Sequence, residues 1–326
     1  MTPPQPANLT LTAVAGIAVG HASDAQAATG CTVIVGPFRA AVDVRGLASS
    51  TRQLDSLSPH HLVPGVDALL LTGGSAYGLA AADGVARWLE EQGRGFQTAA
   101  GRVAIVPSAV IFDLGAGQSD RRPDAAMGYV ACEAASPGPV PEGRVGAGTG
   151  ATVGKLFGPV GAVPGGLGSF ATQLEDHRVG ALVVVNAFGD VLDARGNIIA
   201  GARDENGAFL DTAAYLREHG PPPRFAAQPG TNTTLAVVAT DYPLSRADLG
   251  TVARQAMNAV VRRVSPANSV FDGDLVFACS TGPDPAEVSP AVLLRIGLCA
   301  EWALAQAIER AVRGHQPGDR RDAAPD

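Results

Sequence analysis

Two threonines stand where a polar, proline-rich stretch, which is predicted to be an exposed linker, changes into an apolar one. Thr233 and Thr234 follow Asn232 and precede the run Leu235–Ala239, which is typical of a buried strand. If the backbone were cut between Asn232 and Thr233, that threonine would gain a free α-amine with a pKa of about 7.7–8.0. Such a residue carries a nucleophilic hydroxyl together with its own base. The alternative interpretation is that both threonines serve only strand propensity.

A single lysine, Lys155, lies in a glycine-rich stretch, whereas all other basic residues are arginines. One interpretation is a solvated surface lysine. The other is a site that requires a compact ammonium, which the planar guanidinium of arginine cannot replace. The stretch is not a P-loop, because a Walker A motif needs a glycine where Thr149 stands and a hydroxyl residue where Leu156 stands. Nucleotide binding by this loop is therefore not predicted.

Two further short stretches could support acyl chemistry. Asp272 and Asp274 flank a glycine before an apolar strand, and side chains two apart on an extended chain face the same way. They form either an ordinary turn or a carboxylate pair that polarises a hydroxyl or an ammonium. The turn 73–75 fails the GxSxG pattern, since Tyr77 replaces the second glycine. We expect its backbone N–H groups to bind a carbonyl oxygen or a carboxylate.

The composition narrows the class of protein. Of the 326 residues, 46% are hydrophobic and 17% are charged, which allows a large core, and the net charge of -7 disfavours nucleic acid or an anionic membrane as partner. The histidines and cysteines lack metal-binding spacing, so a structural zinc is not expected. No other metal or cofactor is predicted. No lysine or arginine precedes Arg39, and no apolar run reaches the ~18 residues of a membrane span, so we expect a cytoplasmic protein.

The elements that would position these residues mix strands and helices in one α/β domain of layered sheets. Gly36-Pro37 between two apolar runs predicts a hairpin, and Ser245-x-x-Asp248 predicts a capped helix that ends near Val264. A second hairpin-like pair is predicted from Val179 to Ile199, with its turn at Arg195-Gly196-Asn197. The last predicted helix begins at Ser289-Pro290 and is apolar on more than one face, which indicates a central or interface helix. The polar tail from Gly314 to Asp326 is predicted to be loose.

Five motifs, in the same order along the chain, resemble the self-processing P1 peptidase family, peptidase family S58. This family includes L-aminopeptidase/D-amidase enzymes, β-peptidyl aminopeptidases and nylon-oligomer endohydrolases. The resemblance runs from about Gly16 to Arg313. The motifs that carry it are Thr72-Gly-Gly-Ser-Ala-Tyr-Gly-Leu79, Gly146-Ala-Gly-Thr-Gly-Ala-Thr-Val-Gly-Lys-Leu-Phe157, Gly165-Gly-Leu-Gly-Ser169, Asn232-Thr-Thr-Leu235 and Asp272-Gly-Asp274.

The resemblance implies a single catalytic domain with an αββα sandwich like that of N-terminal-nucleophile hydrolases. It also implies a precursor that cleaves itself between Asn232 and Thr233, giving an α chain of residues 1–232 and a β chain of residues 233–326. The Asn-Thr junction resembles the nylon-oligomer hydrolase branch more than the aminopeptidase branch, in which the new terminus is typically serine. A homotetramer is the family expectation.

Carried over residue by residue, the resemblance makes Thr233 the nucleophile, with supporting roles for Lys155, Asn186, Asp272 and Asp274. Asn186 and the N–H groups of the turn Gly73, Gly74 and Ser75 would stabilise the oxyanion. One position departs from the family pattern, because Phe112 stands where a tyrosine of the catalytic pocket is usual. The hydroxyl expected near the acyl oxygen is therefore missing.

The implied activity is hydrolysis of amide bonds in short peptides, amino acid amides or polyamide oligomers. An acyl transferase like the ornithine acetyltransferases, which have a related fold and also process themselves before a threonine, is an alternative. A third possibility is an uncleaved, non-catalytic homologue that binds ligands in its glycine-lined pocket.

Overall fold

The computed structural model describes residues 9–222, 231–285 and 287–313. Within them the chain forms five α-helices and sixteen strands. The helices are α1 (Ala81–Glu91), α2 (Ala125–Glu133), α3 (Thr212–His219), α4 (Arg246–Arg263) and α5 (Pro290–Arg313). The strands are β1 (Ala18–Asp24), β2 (Thr29–Val44), β3 (Thr51–Arg52), β4 (Val66–Thr72), β5 (Phe96–Thr98), β6 (Gly101–Val103), β7 (Ser108–Val110), β8 (Thr152–Val153), β9 (Val163–Pro164), β10 (Gly166–Leu174), β11 (His177–Asn186), β12 (Asp190–Leu192), β13 (Ile198–Ala200), β14 (Thr233–Thr240), β15 (Val264–Ser265) and β16 (Leu275–Ser280).

One long strand, β2, belongs to both main sheets. The strand order is β10-β11-β14-β16-β2-β4-β7-β3, and β1 also pairs with β2. The first half of β2 pairs with β1 and β4, and its second half pairs with β16. The predicted hairpin at Gly36-Pro37 is therefore wrong. Both halves find sheet partners, so the chain continues through a register shift between Val35 and Phe38 instead of reversing.

Three apolar clusters separate four layers. Alternate residues of β11, β14 and β16 face α4 and α5 on one side and the other main sheet on the opposite side. That second sheet packs its far face against α1 and α2. In β14, for example, Val238 belongs to the helix-facing cluster and Val237 to the cluster between the sheets. The order helix, sheet, sheet, helix is the predicted αββα sandwich.

The last two helices match their sequence signals. Ser245 and Asp248 form the predicted capping box at the start of α4. Helix α5 contributes Ile296, Leu304 and Ile308 to the core and packs against α4, β10 and β11. By length and composition α5 could cross a membrane, but half of its most apolar stretch is buried in the protein, so this is weak evidence for a span.

Two local predictions need correction. Strand β11 pairs with β10 and β14, so it forms no hairpin with β12; β12 instead pairs with β13, around the predicted turn at Gly196. The polar stretch before Asn232, read as a linker, contains α3. The buried Asp190 carboxylate accepts hydrogen bonds from the N–H and hydroxyl of Thr212 and so fixes the start of that helix. The predicted loose tail, 314–326, lies outside the described residues, as does 223–230.

Candidate active site

Strand directions bring the predicted site residues to one edge of a sheet. Strand β11 is antiparallel to β14, and β16 is parallel to it. The last residue of β11, Asn186, is thus the register partner of the first residue of β14, Thr233. On the other side, Asn232 forms a bridge with Asp272, just before β16 begins. Residues far apart in the sequence therefore meet at the ends of three neighbouring strands.

The peptide carbonyl between Asn232 and Thr233 has two donors. The Thr233 hydroxyl donates to the Asn232 carbonyl oxygen at 2.6 Å, and the Gly273 N–H donates to the same oxygen at 2.9 Å. Thr233 is only 4% exposed. A buried hydroxyl thus lies against the carbonyl of the preceding residue, and a backbone N–H polarises that carbonyl.

Lys155 is buried among neutral oxygens. Its Nζ donates to the main-chain and side-chain oxygens of Asn186, both at 2.9 Å, and to the Thr231 carbonyl at 3.3 Å. Burial lowers the pKa of Lys155 from 10.5 to about 7, although the negative charges of Asp272, Asp113 and Asp274 oppose that shift. The surface-lysine interpretation is therefore wrong, and this amine changes charge near neutral pH.

Asn186 connects the lysine to the opposite wall. Its Oδ1 accepts from Lys155 and from the Thr152 N–H. Its Nδ2 donates to the Phe112 carbonyl at 3.1 Å and to the Thr231 carbonyl at 3.4 Å. In the uncleaved chain the Asn186 amide therefore holds Lys155 and the neighbouring backbone in place. Both hydrogen-bond donors of its Nδ2 already have acceptors, so neither is free to bind an oxyanion.

The two aspartates are buried but bind different groups. Asp272 Oδ2 accepts from the N–H and hydroxyl of Ser269, whereas the Asp274 carboxylate accepts from the N–H groups of Thr234 and Asn268. Burial raises the pKa of both carboxyls, and the charge of Asp272 helps to raise the pKa of Asp274 to about 7. One of the pair can therefore retain a proton near neutral pH.

The glycine turn does not offer the expected donors. The N–H of Gly73 donates to the Gly30 carbonyl, that of Gly74 to Asp113 Oδ1 and that of Ser75 to the Ile111 carbonyl. All three are occupied within the fold, so the predicted binding of an oxyanion by this turn lacks a free N–H in this structure.

Asp113 also belongs to the site, although the sequence analysis predicts a role only for its neighbour Phe112. Its carboxylate holds the Gly74 N–H and the Thr29 hydroxyl, both at 2.7 Å, and burial raises its pKa. The available signal was an aspartate at the end of an apolar strand. Ser269, the partner of Asp272, gave no signal, because only the folded turn brings them together.

A cavity of about 500 Å³ opens beside Lys155. Its wall is mainly apolar and small, with Lys155 and Asp113 as charged groups. Phe112 lies in the wall, so the position that departs from the family pattern borders this space. The lining residues are Phe112, Asp113, Leu114, Gly115, Ala116, Gly150, Thr152, Lys155, Pro159 and Thr231. Among the described residues no cluster of three acidic, histidine or cysteine side chains could hold a metal ion.

Comparison with known proteins shows the family of this chain. The model of peptidase family S58 matches residues 10–316. An uncharacterised aminopeptidase of Mycobacterium tuberculosis (strain ATCC 25618 / H37Rv) is 42% identical over 332 residues, which cover 94% of this chain and 94% of that protein. A 6-aminohexanoate-oligomer endohydrolase of Kocuria sp. (strain KY2) is 34% identical over 276 residues, which cover 82% of this chain and 73% of that protein.

Two solved structures share the fold. The L-aminopeptidase D-Ala-esterase/amidase of Ochrobactrum anthropi, whose structure is described as a new variant among the Ntn hydrolase fold, matches with a TM-score of 0.70 and 21% identity over 94% of this chain and 86% of its own. A Burkholderia sp. beta-aminopeptidase matches with a TM-score of 0.68 and 22% identity over 95% and 88%. The predicted α/β layered fold and the predicted amide- or peptide-bond hydrolase are confirmed.

Proposed function

Because this chain belongs to peptidase family S58, we propose that it is a self-processing amidohydrolase whose nucleophile is the hydroxyl of Thr233. The observation that carries the proposal is the 2.6 Å hydrogen bond from this hydroxyl to the Asn232 carbonyl oxygen. A buried hydroxyl held against the preceding carbonyl is positioned to attack it.

Self-cleavage would begin with attack of Thr233 Oγ1 on the carbonyl carbon of Asn232. The new C–O bond forms, the C–N bond breaks, and the hydroxyl proton ends on the freed amine of Thr233. Water then hydrolyses the ester, which leaves a carboxylic acid on Asn232 and restores the threonine hydroxyl. The Gly273 N–H, 2.9 Å from the Asn232 carbonyl oxygen, would stabilise the charge that develops there.

Substrate hydrolysis would reuse the same hydroxyl, with the freed α-amine of Thr233 as its base. Lys155 would keep Asn186 in place and tune the proton affinity of the site, because its pKa of about 7 lets it change charge near neutral pH. Asp274 would hold the Thr234 N–H, so that Thr233 keeps its position at the start of β14.

The first experiment is the intact mass of purified protein under denaturing conditions. We expect two fragments, with Thr233 first in the smaller one. Thr233→Ala should remain one chain of about 33.0 kDa. Thr234→Ala is the matched control, because Thr234 is the adjacent buried threonine and should not abolish the cut. Cleavage of the Thr233→Ala protein at the same bond would overturn the proposal.

For the substrate, we propose an amide whose acyl side is aliphatic, because the cavity beside Lys155 has mainly small and apolar walls. Relatives named as aminopeptidases and as 6-aminohexanoate-oligomer endohydrolases support this class. Rates on an aminoacyl p-nitroanilide and on a 6-aminohexanoate oligomer would separate the two branches. Absence of hydrolysis of both by fully cleaved protein would contradict the proposed activity but not the self-cleavage.

The homotetramer stays a proposal, as does the cytoplasmic location. One surface favours association: Leu294, Leu298 and Trp302 repeat at intervals of four on α5 and are each about half exposed. Leu298→Glu should lower the mass measured by light scattering. An unchanged mass would show that this face is not the interface.

A further inference from the structure

We propose that a second cavity, bounded by α4, the second half of β2 and the segment 54–59, binds a small aliphatic carboxylate. The cavity measures about 490 Å³. Its walls combine apolar side chains with two guanidinium groups that have no ion-pair partner among the described residues. The residues that carry the argument are Val42, Leu54, Leu57, Arg246, Gly250 and Arg254.

The first observation is an incompletely satisfied buried cation. Arg246 is 9% exposed and donates to the carbonyl oxygens of Ser58, His61 and Val63 at 3.1, 3.4 and 2.6 Å. Its Nε is buried and has no hydrogen-bond partner in the described part of the chain. Burial lowers the pKa of Arg246, but a guanidinium keeps its proton at any ordinary pH. A persistent positive charge therefore remains in the cavity wall.

The second observation is the charge of the remaining lining. Arg254 is exposed and donates to the Thr251 hydroxyl. Asp43 also lines the cavity, but its carboxylate already accepts from Arg45 Nε at 2.7 Å. The cavity thus has an excess of positive charge, and an incoming anion meets no unpaired carboxylate among the described lining residues.

The third observation is a glycine inside a helix. Arg246, Gly250 and Arg254 are four residues apart and share one face of α4. A Cβ atom at Gly250 would meet no heavy atom within 4 Å, so packing does not require glycine there. Glycine is nevertheless a poor helix former. The position is explained if a ligand, and not a side chain, occupies the space above it.

These three features specify the ligand. The exposed guanidinium of Arg254 matches a carboxylate in shape and charge, and the buried positive charge of Arg246 adds electrostatic attraction. The neighbouring apolar walls would cover a short aliphatic chain. Hexanoate has both parts and is the probe for the test, with hexan-1-ol as the uncharged control and inorganic phosphate as the anion without a chain.

The test is isothermal titration of the full chain with hexanoate. We expect saturable binding that Gly250→Leu weakens by about tenfold or more, because a leucine side chain fills the cavity. Gly250→Ala, which adds a single methyl group, should retain binding, and Arg254→Gln should weaken it several-fold. Arg262→Gln, on the same helix but paired with Glu301, is the control for charge. Amide hydrolysis by Gly250→Leu should stay at the wild-type rate.

Several results would overturn the proposal. Equal affinity for hexanoate and hexan-1-ol would show an apolar groove without anion recognition. Phosphate binding as tightly as hexanoate would remove the role of the chain. Binding that Lys155→Met abolishes and Gly250→Leu leaves intact would assign the carboxylate to the cavity beside Lys155 instead. No binding at millimolar hexanoate would leave no site to assign.

Discussion

Lys155 and Arg246 are buried cations in similar surroundings. Each donates to three oxygens that carry no formal charge, and neither forms an ion pair among the described residues. The consequences differ because the two groups hold their protons differently. An ammonium can respond to burial by losing its proton, and the pKa of Lys155 falls to about 7. A guanidinium cannot, so its charge must be balanced by polar groups or by a ligand.

Exchanging the two cations gives the largest expected effect. Lys155→Arg places a group that cannot lose its proton beside the Asn232–Thr233 bond. We expect self-cleavage to slow by about 100-fold or more, because a permanently charged group cannot tune the proton affinity of the site as Lys155 does. The uncut chain on a denaturing gel over time measures it. Self-cleavage at the wild-type rate would show that the site requires a positive charge at position 155 and not a group that can lose its proton.

A pH series separates the two cations further. It uses Thr233→Ala so that the chain stays whole. Between pH 7 and about 9, unfolded Lys155 binds a proton that the folded form lacks, so the free energy of unfolding should rise with pH. Above about pH 9 the buried thiols of Cys31, Cys132 and Cys279 oppose this rise, because burial raises their pKa values. Asp274 contributes with the opposite sign. Because its pKa is raised in the folded protein, its contribution to the free energy of unfolding should fall between about pH 4 and 7. Denaturant melts of Lys155→Met should lose the rise above pH 7. A rise that persists in that variant would refute the assignment.

The reverse exchange, Arg246→Lys, should affect stability alone. A lysine lacks the planar fork of donors with which Arg246 binds the carbonyls of Ser58, His61 and Val63, so we expect a loss of about 1–3 kcal/mol in the free energy of unfolding. Self-cleavage should be unchanged, since Arg246 lies outside the proposed catalytic group. Thermal melts and fragment yield measure the two parts. If a folded Arg246→Lys protein cleaved itself more slowly than the wild type, the conclusion that only Lys155 affects self-cleavage would be wrong.

The smallest effect belongs to Gly250. Replacement by alanine should stabilise the protein by about 1 kcal/mol, because alanine is the better helix former and its Cβ has open space. Differential scanning calorimetry can resolve this gain. A loss of stability would mean that the backbone at Gly250 needs glycine, and would weaken its use as an argument for a ligand.

The residues around Lys155 could be predicted from the sequence, whereas the surroundings of Arg246 could not. Lys155 is the only lysine, and Asp272 and Asp274 stand beside a strand, so their types and spacing indicated chemistry. Arg246 is one arginine among many, and its partners lie more than 180 residues away in the chain. No local pattern encodes such contacts.

The errors have the same origin. Gly36-Pro37 resembles a turn locally, but pairing with β4 and β16 keeps the strand going. The sequence also predicts free N–H donors in the turn 73–75. It does not reveal that the Gly74 N–H donates to the carboxylate of Asp113, which lies 39 residues further along the chain. Helix α3 is short and follows no strong periodicity, and the buried Asp190 carboxylate fixes its start.

The strand order has a consequence for the proposed cut. Strands β14 and β16 lie side by side between β11 and β2, and a break before Thr233 would put the inner pair on one fragment and both outer neighbours on the other. Each fragment would then be clamped by backbone hydrogen bonds along two strand edges. Such pieces could not drift apart, and neither would have a complete sheet alone. The cleaved protein would therefore elute as a single species under native conditions, and its two fragments would separate only after denaturation.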